Sequence, residues 1–420
     1  MKFLRTPESW ILSFATPLLL LALPSVAQPV PTHRVALEIE RPGLARLVPV
    51  TADLDALGLA SDSVRIHELV GDERREIPAQ VASGPRRTLH WLVETGGGDA
   101  GERVFEISGA DAGGQVAGVT LRSDQGQLVL ASDDRDLLTY QFGHMAPPEG
   151  VDPVYGRSGF IHPLRAPHGQ VLTRVQPADH YHHYGIWNPW TQVEFRGRTI
   201  DFWNLAKREA TVRFAQFATL DEGAVFGEYR ALHEHVVLPD TVAMTELQSV
   251  RMYRLHGDDA YLVDLVIEMS CSTDDPVRLL EYRYGGLGWR ATEEWHKGNS
   301  RVLTSEGRTR VDADGSLARW CLVEGEVGDE RAGVVLMSHP ANTNHPEPLR
   351  VWPENSEGRG DVFVNFSPTK NRDWLLEPKR SYLLRYRLLV YNGTLDAAAA
   401  EQAWRDFAHP PAPSKVSTVR

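Results

Sequence analysis

Five of the chain's 16 histidines fall between residues 162 and 183: His162, His168, His180, His182 and His183. The densest stretch is Asp179-His-Tyr-His-His-Tyr-Gly-Ile-Trp-Asn-Pro-Trp190. Near pH 7 an imidazole either exchanges a proton or offers a neutral nitrogen to a metal. Read as a strand, His180 and His182 share one face and His183 takes the other. Such a pair can present two imidazoles to one metal, and Asp179 can add a carboxylate or orient a ring. The same residues serve equally as a general base with an orienting acid. Three His within four residues favour function over core packing.

Aromatic residues interleave with this cluster: Tyr181, Tyr184, Trp187, Trp190, Phe195, Phe202 and Trp203. Flat apolar faces beside polar groups suit the C–H face of a sugar ring. Trp187 and Trp190, beside the turn-prone Asn188-Pro189, are the expected platforms, with Tyr184 beside them. Two further stretches read as site loops. Glu281-Tyr-Arg-Tyr-Gly-Gly-Leu-Gly-Trp-Arg290 has three Gly in a strand context, where a ligand or a bulge can come close. Arg283 and Arg290 there could clamp a carboxylate or hydroxyls, Glu281 could act as acid or orienter, and Tyr284 could line the pocket. Ser338-His-Pro-Ala-Asn-Thr-Asn-His-Pro346 offers His339, Asn342 and His345 after a strong strand.

Several chemistries have no sequence support. There is no Gly-x-Ser-x-Gly elbow, no His-Glu-x-x-His and no Cys-x-x-Cys. A net charge of −12 argues against a nucleic-acid partner, which needs a concentrated basic face. No carboxylate pair suited to glycoside hydrolysis stands out. The sequence leaves the cofactor open; one arrangement is a divalent metal on His180, His182 and a later His such as His339.

The elements that must position these residues read as β. Val35-Ala-Leu-Glu-Ile-Glu40, Leu89–Glu94 and Arg103–Ile107 alternate apolar and polar, with Gly96–Asp99 as a turn. The expected fold is all-β, with a small N-terminal β-sandwich over residues 28–115 and a large antiparallel β-sandwich over 116–412. Residues 110–115 form the expected linker. The large sandwich resembles the extended two-sheet architecture of mutarotase and polysaccharide-lyase proteins. One C-terminal helix is expected over Thr394–Phe407, with Leu395, Ala398, Ala399, Ala403 and Trp404 on its apolar face. Residues 1–27 read as a signal peptide cleaved near Ala27, which predicts a periplasmic or secreted protein with no membrane segment afterwards. In such a compartment Cys271 and Cys321 could pair or stay as separate thiols. Nothing in the sequence sets the oligomeric state.

The runs Arg157–Leu164, Asp179–Thr191 and Ile200–Asn204 resemble the PmoA-like family of secreted bacterial proteins. Tyr284–Thr292 and Ser338–Asn342 resemble later blocks of it, and the likeness spans roughly residues 120 to 400. Many relatives carry Pro and Arg where this chain has Tyr181 and Tyr184, so an Arg-dependent contact is not expected at 184. The family label refers to a methane oxygenase. An integral membrane subunit of that kind would show several apolar runs of ~20 residues, and none follows the leader here. Members resemble genes found near sugar oxidoreductases and glycan-degrading enzymes, which implies carbohydrate metabolism. The combined expectation is a carbohydrate-active enzyme, lyase or hydrolase, that cleaves a glycosidic bond in a His-rich cleft. Its catalytic residues would be His180, His182, His183, Glu281 and Arg290. A non-catalytic glycan-binding protein and a copper-dependent oxygenase are the alternatives.

Overall fold

The computed structural model describes residues 32–39, 46–61, 63–82, 86–95, 101–110, 118–255, 257–356 and 358–419. The expected leader, the turn at Gly96–Asp99 and most of the linker lie outside these. All strand pairing among the described residues is antiparallel, and the architecture is all-β as read.

In the N-terminal unit the strands Thr32–Ile39, Gly101–Gly109, Val64–Val70 and Glu73–Ile77 make one sheet. A second contains Arg46–Asp53, Thr88–Thr95 and Ala79–Ala82. Alternation does the work: Val35 and Leu37 are buried between the sheets while Arg34 and Glu38 face out. They share a core with Trp91, Phe105 and Ile107. One feature departs from the expected boundaries. The last strand, Ser414–Val419, returns to this unit and pairs with Thr32–Ile39, Thr32 opposite Val419. It covers N–H and C=O groups that would otherwise form an open sheet edge.

The large unit packs an eight-stranded sheet against a nine-stranded one, with a four-stranded extension. The long strands Phe226–Val237, Thr241–Tyr253, Ala260–Cys271 and Ser381–Asn392 form the centre of the eight-stranded sheet. The nine-stranded sheet holds, side by side, Glu347–Val351, Phe363–Phe366, Gly288–Arg290, Ile186–Trp187 and Phe160–Leu164. Here the two-residue period sorts the side chains. Ile161, Ile186, Trp289, Val351 and Val364 enter the main core. Their neighbours Phe160, Trp187, Trp352 and Phe363 form a separate aromatic cluster on the other face.

Inside the sandwich lies a polar patch that the sequence did not announce. Glu246 accepts from Asn188 Nδ2 at 2.9 Å and pairs with His233 and His235 at 3.3 and 3.1 Å. Burial would raise this carboxyl, but the two imidazoles outweigh it and hold it well below the usual carboxylate range. The patch ties Asn188, next to Trp187, to the opposite sheet.

The C-terminal helix is Ala397–Ala408, capped by Asp396, whose side chain accepts from the Ala399 amide at 2.8 Å. The cap explains why the helix starts later than expected. Its buried face is Ala400, Trp404, Phe407 and Ala408, packed on Trp320, Leu322, Val335 and Met337. Of the expected apolar face only Trp404 is buried. Leu395 and Ala403 are half-buried, because the stripe follows positions 400, 404, 407 and 408. Cys271 and Cys321 are separate thiols. Cys271 donates to the Leu376 carbonyl, and burial pushes the Cys321 thiol up to about 12. No described helix is long and apolar enough to cross a membrane.

Candidate functional site

The outer face of the nine-stranded sheet is the floor of a pocket. Trp187 stands opposite Gly288, and Arg290 opposite Phe363. A Cβ at Gly288 would lie 3.1 Å from the Trp203 ring, so the missing side chain lets that indole close over the sheet.

Above this floor the His run is not a strand. Val175 and Tyr184 form an isolated bridge, and the Gln176 amide donates to the His183 carbonyl at 2.8 Å. Between them two tight turns follow one another. The His180 amide donates to Pro177 O, and the His183 amide to His180 O, at 2.9 and 3.0 Å. Gly185 sits at φ +58°, where a Cβ would meet Ile161 O at 2.2 Å, so only glycine lets the turn rejoin the sheet. The expectation that His183 points away from the other two is therefore corrected: the turns curl all three rings together. Ring centroids lie 4.7 Å apart for His180–His183, 5.3 Å for His180–His182 and 5.0 Å for His182–His183.

One ligand nitrogen from each of the three can be chosen so that all lie within 4.8 Å of one another. Nitrogens bound to one tetrahedral ion at ~2.0 Å sit about 3.3 Å apart, so modest side-chain rotation closes the set. Burial pushes His182 down to about 4, with His180 adding to the shift, and pushes His183 well below its ordinary value. Both are neutral at pH 7, the state that binds metal. His183 keeps a buried Nδ1 with no hydrogen-bond partner. Asp179 accepts from His180 Nδ1 at 3.1 Å, which leaves Nε2 free. Arg290 donates to Asp179 at 2.6 Å and to Asp361 at 2.7 Å, and its guanidinium lies 4.5 Å from the Trp352 ring. Burial would raise the Asp179 carboxyl, but His180 and Arg290 hold it well below the usual range.

The cavity holds about 250 Å³, below the ~300–1,000 Å³ common for small-molecule pockets, which is room for one sugar ring. Besides the three imidazoles, its wall includes Trp203, Tyr284, Trp352, Phe363, Arg283 and Arg350.

The other expected residues fall elsewhere or play other parts. Tyr284 lines the cavity, its ring 5.0 Å from Trp203. Trp187 is fully buried beneath His183, with ring centroids 5.1 Å apart, so it supports the site and cannot stack on a ligand. Tyr184 is also buried and donates to the Tyr155 carbonyl at 2.6 Å. Trp190 belongs to the main core and contacts Trp374. Glu281 is exposed and does not line the cavity; its amide donates to Asp373. His339 packs on Phe407, and His345 on Trp404, both of the C-terminal helix. Asn342 is buried against Glu347 and the Arg385 backbone. The strand Glu347–Val351 separates that loop from Trp352, about 14 Å at ~3.4 Å per residue. His339 therefore does not join His180 and His182, and His183 takes its place.

Sequence reasoning missed Trp352, Phe363, Arg350 and Asp361. The available signal was Val351-Trp-Pro353, where an indole follows a strand and a proline ends it. The fold and pocket define a two-sandwich β protein with a histidine site on an outer sheet face. Residues 127–405 match the model of a family described as a family of unknown function (DUF6807), and the chain belongs to that family. No curated protein matches it.

Proposed function

We propose that the pocket is the active site of an exported carbohydrate-active enzyme that breaks a glycosidic bond, with a divalent metal ion held by His180, His182 and His183. One observation carries this reading: three imidazoles converge to within 4.8 Å at the wall of a cavity, and one of them is oriented by a carboxylate. Three imidazoles suit zinc, copper and their neighbours in the first transition row. When bound, such an ion supplies Lewis acidity or an activated water. The chain's own residues do the rest. Asp179 fixes the His180 tautomer, Arg290 holds Asp179, and Tyr284, Trp203, Trp352 and Phe363 offer ring faces to a sugar. The described wall carries no carboxylate, whereas two-carboxylate hydrolysis needs a facing pair. Elimination, or hydrolysis at the metal centre, fits better.

The test is metal content and turnover of the purified protein on a panel of glycans, before and after chelation. The reading predicts about one ion per chain and activity that falls in chelator and returns with metal. Full activity without bound metal would remove the ion, and binding without turnover on every glycan would leave a lectin-like role.

A further inference from the structure

The charges around the cavity point to what it binds. Four aspartates next to the wall are already engaged. Asp179 pairs with Arg290. Asp361 pairs with Arg290, Arg174 and Arg359. Asp201 is buried against Lys207 and Asn204. Asp314 binds both Arg350 and Lys370, at 2.7 and 3.1 Å. None of them lines the cavity.

Arg283 is the exception among the cations. It lines the cavity and is exposed, yet its guanidinium makes no hydrogen bond or ion pair among the described residues. It lies along the rings of Tyr282 and Tyr284, 5.8 and 5.4 Å from their centroids. Aromatic faces can steady a guanidinium without neutralising it. Its fork of N–H donors matches a carboxylate in a bidentate fashion. A wall with an unpaired guanidinium and no carboxylate favours an anionic group on the ligand.

We infer that the substrate is a sugar carrying a carboxylate, a hexuronate unit, and that Arg283 binds that carboxylate. This rests on the pocket being a sugar site, as proposed above, and it names the class of sugar. A single ring fills the volume, Tyr284 meets its face, and Arg283 sets its orientation.

The experiment is calorimetric titration of the metal-loaded protein with D-galacturonate and D-glucuronate, against D-galactose and D-glucose. The uronates should bind about 10- to 100-fold tighter, the scale of a charge-assisted pair. Arg283→Gln should abolish that preference while leaving metal content unchanged. Arg283→Lys should keep part of it. Because Arg283 is exposed, neither change should affect folding. Equal binding of uronates and neutral sugars overturns the inference, as does a preference that survives in Arg283→Gln. Cleavage of neutral glycans alone would also overturn it while leaving the glycosidic-bond reading intact. Arg283-dependent uronate binding without turnover on any glycan would support the inference and sink the enzymatic reading instead.

Discussion

Residues 177–183 and 338–346 are both histidine-bearing loops, and the sequence offers both as sites. Their polar groups are used in opposite ways. In the second loop nearly everything polar is spent internally. Asn342 donates to Glu347 and to the Arg385 carbonyl, and accepts from the Arg385 amide, at 2.8, 2.9 and 2.7 Å. Ser338 and Tyr386 donate to the two Glu347 oxygens. His339 and His345 pack against the C-terminal helix. In the first loop the rings of His182 and His183 make no hydrogen bond among the described residues, and His180 spends only Nδ1. A buried polar group without a partner costs about 1–3 kcal/mol, which a fold tolerates where function repays it. The saturated loop closes the fold, and the unsaturated one keeps ring nitrogens free at the cavity wall.

Four perturbations break or sharpen this contrast. His182→Ala should cost the most: metal content lost and turnover down by more than about 100-fold, with the melting temperature little changed. Elemental analysis, kinetics and a thermal scan read the three together; intact metal binding would dissolve the distinction between the loops. Asp179→Asn should lower metal affinity about 10- to 100-fold by loosening His180, measured by competition with a chelator. Asn342→Ala should do the reverse. It strips bonds from buried Glu347 and from the Arg385 backbone, so stability should drop by about 2 kcal/mol in denaturant while metal content stays constant.

The last perturbation concerns Glu347 and pH. Burial pushes its carboxyl up to about 7, against 4.5 for an ordinary glutamate. The folded state therefore holds this proton more tightly than the unfolded chain does. Its contribution to stability is fully present below about 4.5 and declines as pH rises through 7. Glu347→Gln should remove that decline. Denaturation at pH 5 and pH 8 would show the variant gaining on the native protein at the higher pH; an equal difference at both would remove Glu347 as the cause.

The two loops also mark how far the sequence reaches. Alternation at Val35–Glu40 and Leu89–Glu94 predicted strands that are present as Thr32–Ile39 and Thr88–Thr95, because a half-buried strand must repeat every two residues whatever it packs against. The cluster Asp179–His183 was likewise visible as a concentration of scarce residues. Its geometry was not. Read as a strand it split His183 from its neighbours, and the turns that unite them depend on the Gln176–His183 bond and on Gly185 beneath Ile161 O. His339 and His345 show the converse: right residue types after a strand, placed under a helix whose docking face is rotated by about one residue from the expected one.

By itself the sequence determined the all-β class, the place of the histidines and the presence of Arg283 and Tyr284 beside a glycine run. These are local matters of period, composition and turn chemistry. Only the tertiary structure decided that Trp187 and Trp190 are core, that Trp352 and Phe363 form the pocket wall, and that Asp179 and Asp361 share Arg290. Those depend on strands 70 to 180 residues apart pairing in one sheet, as Trp187–Gly288 and Arg290–Phe363 do. The last strand, Ser414–Val419, closing on Thr32–Ile39 is the same lesson at full chain length: an edge needs a partner, and only the folded chain says which.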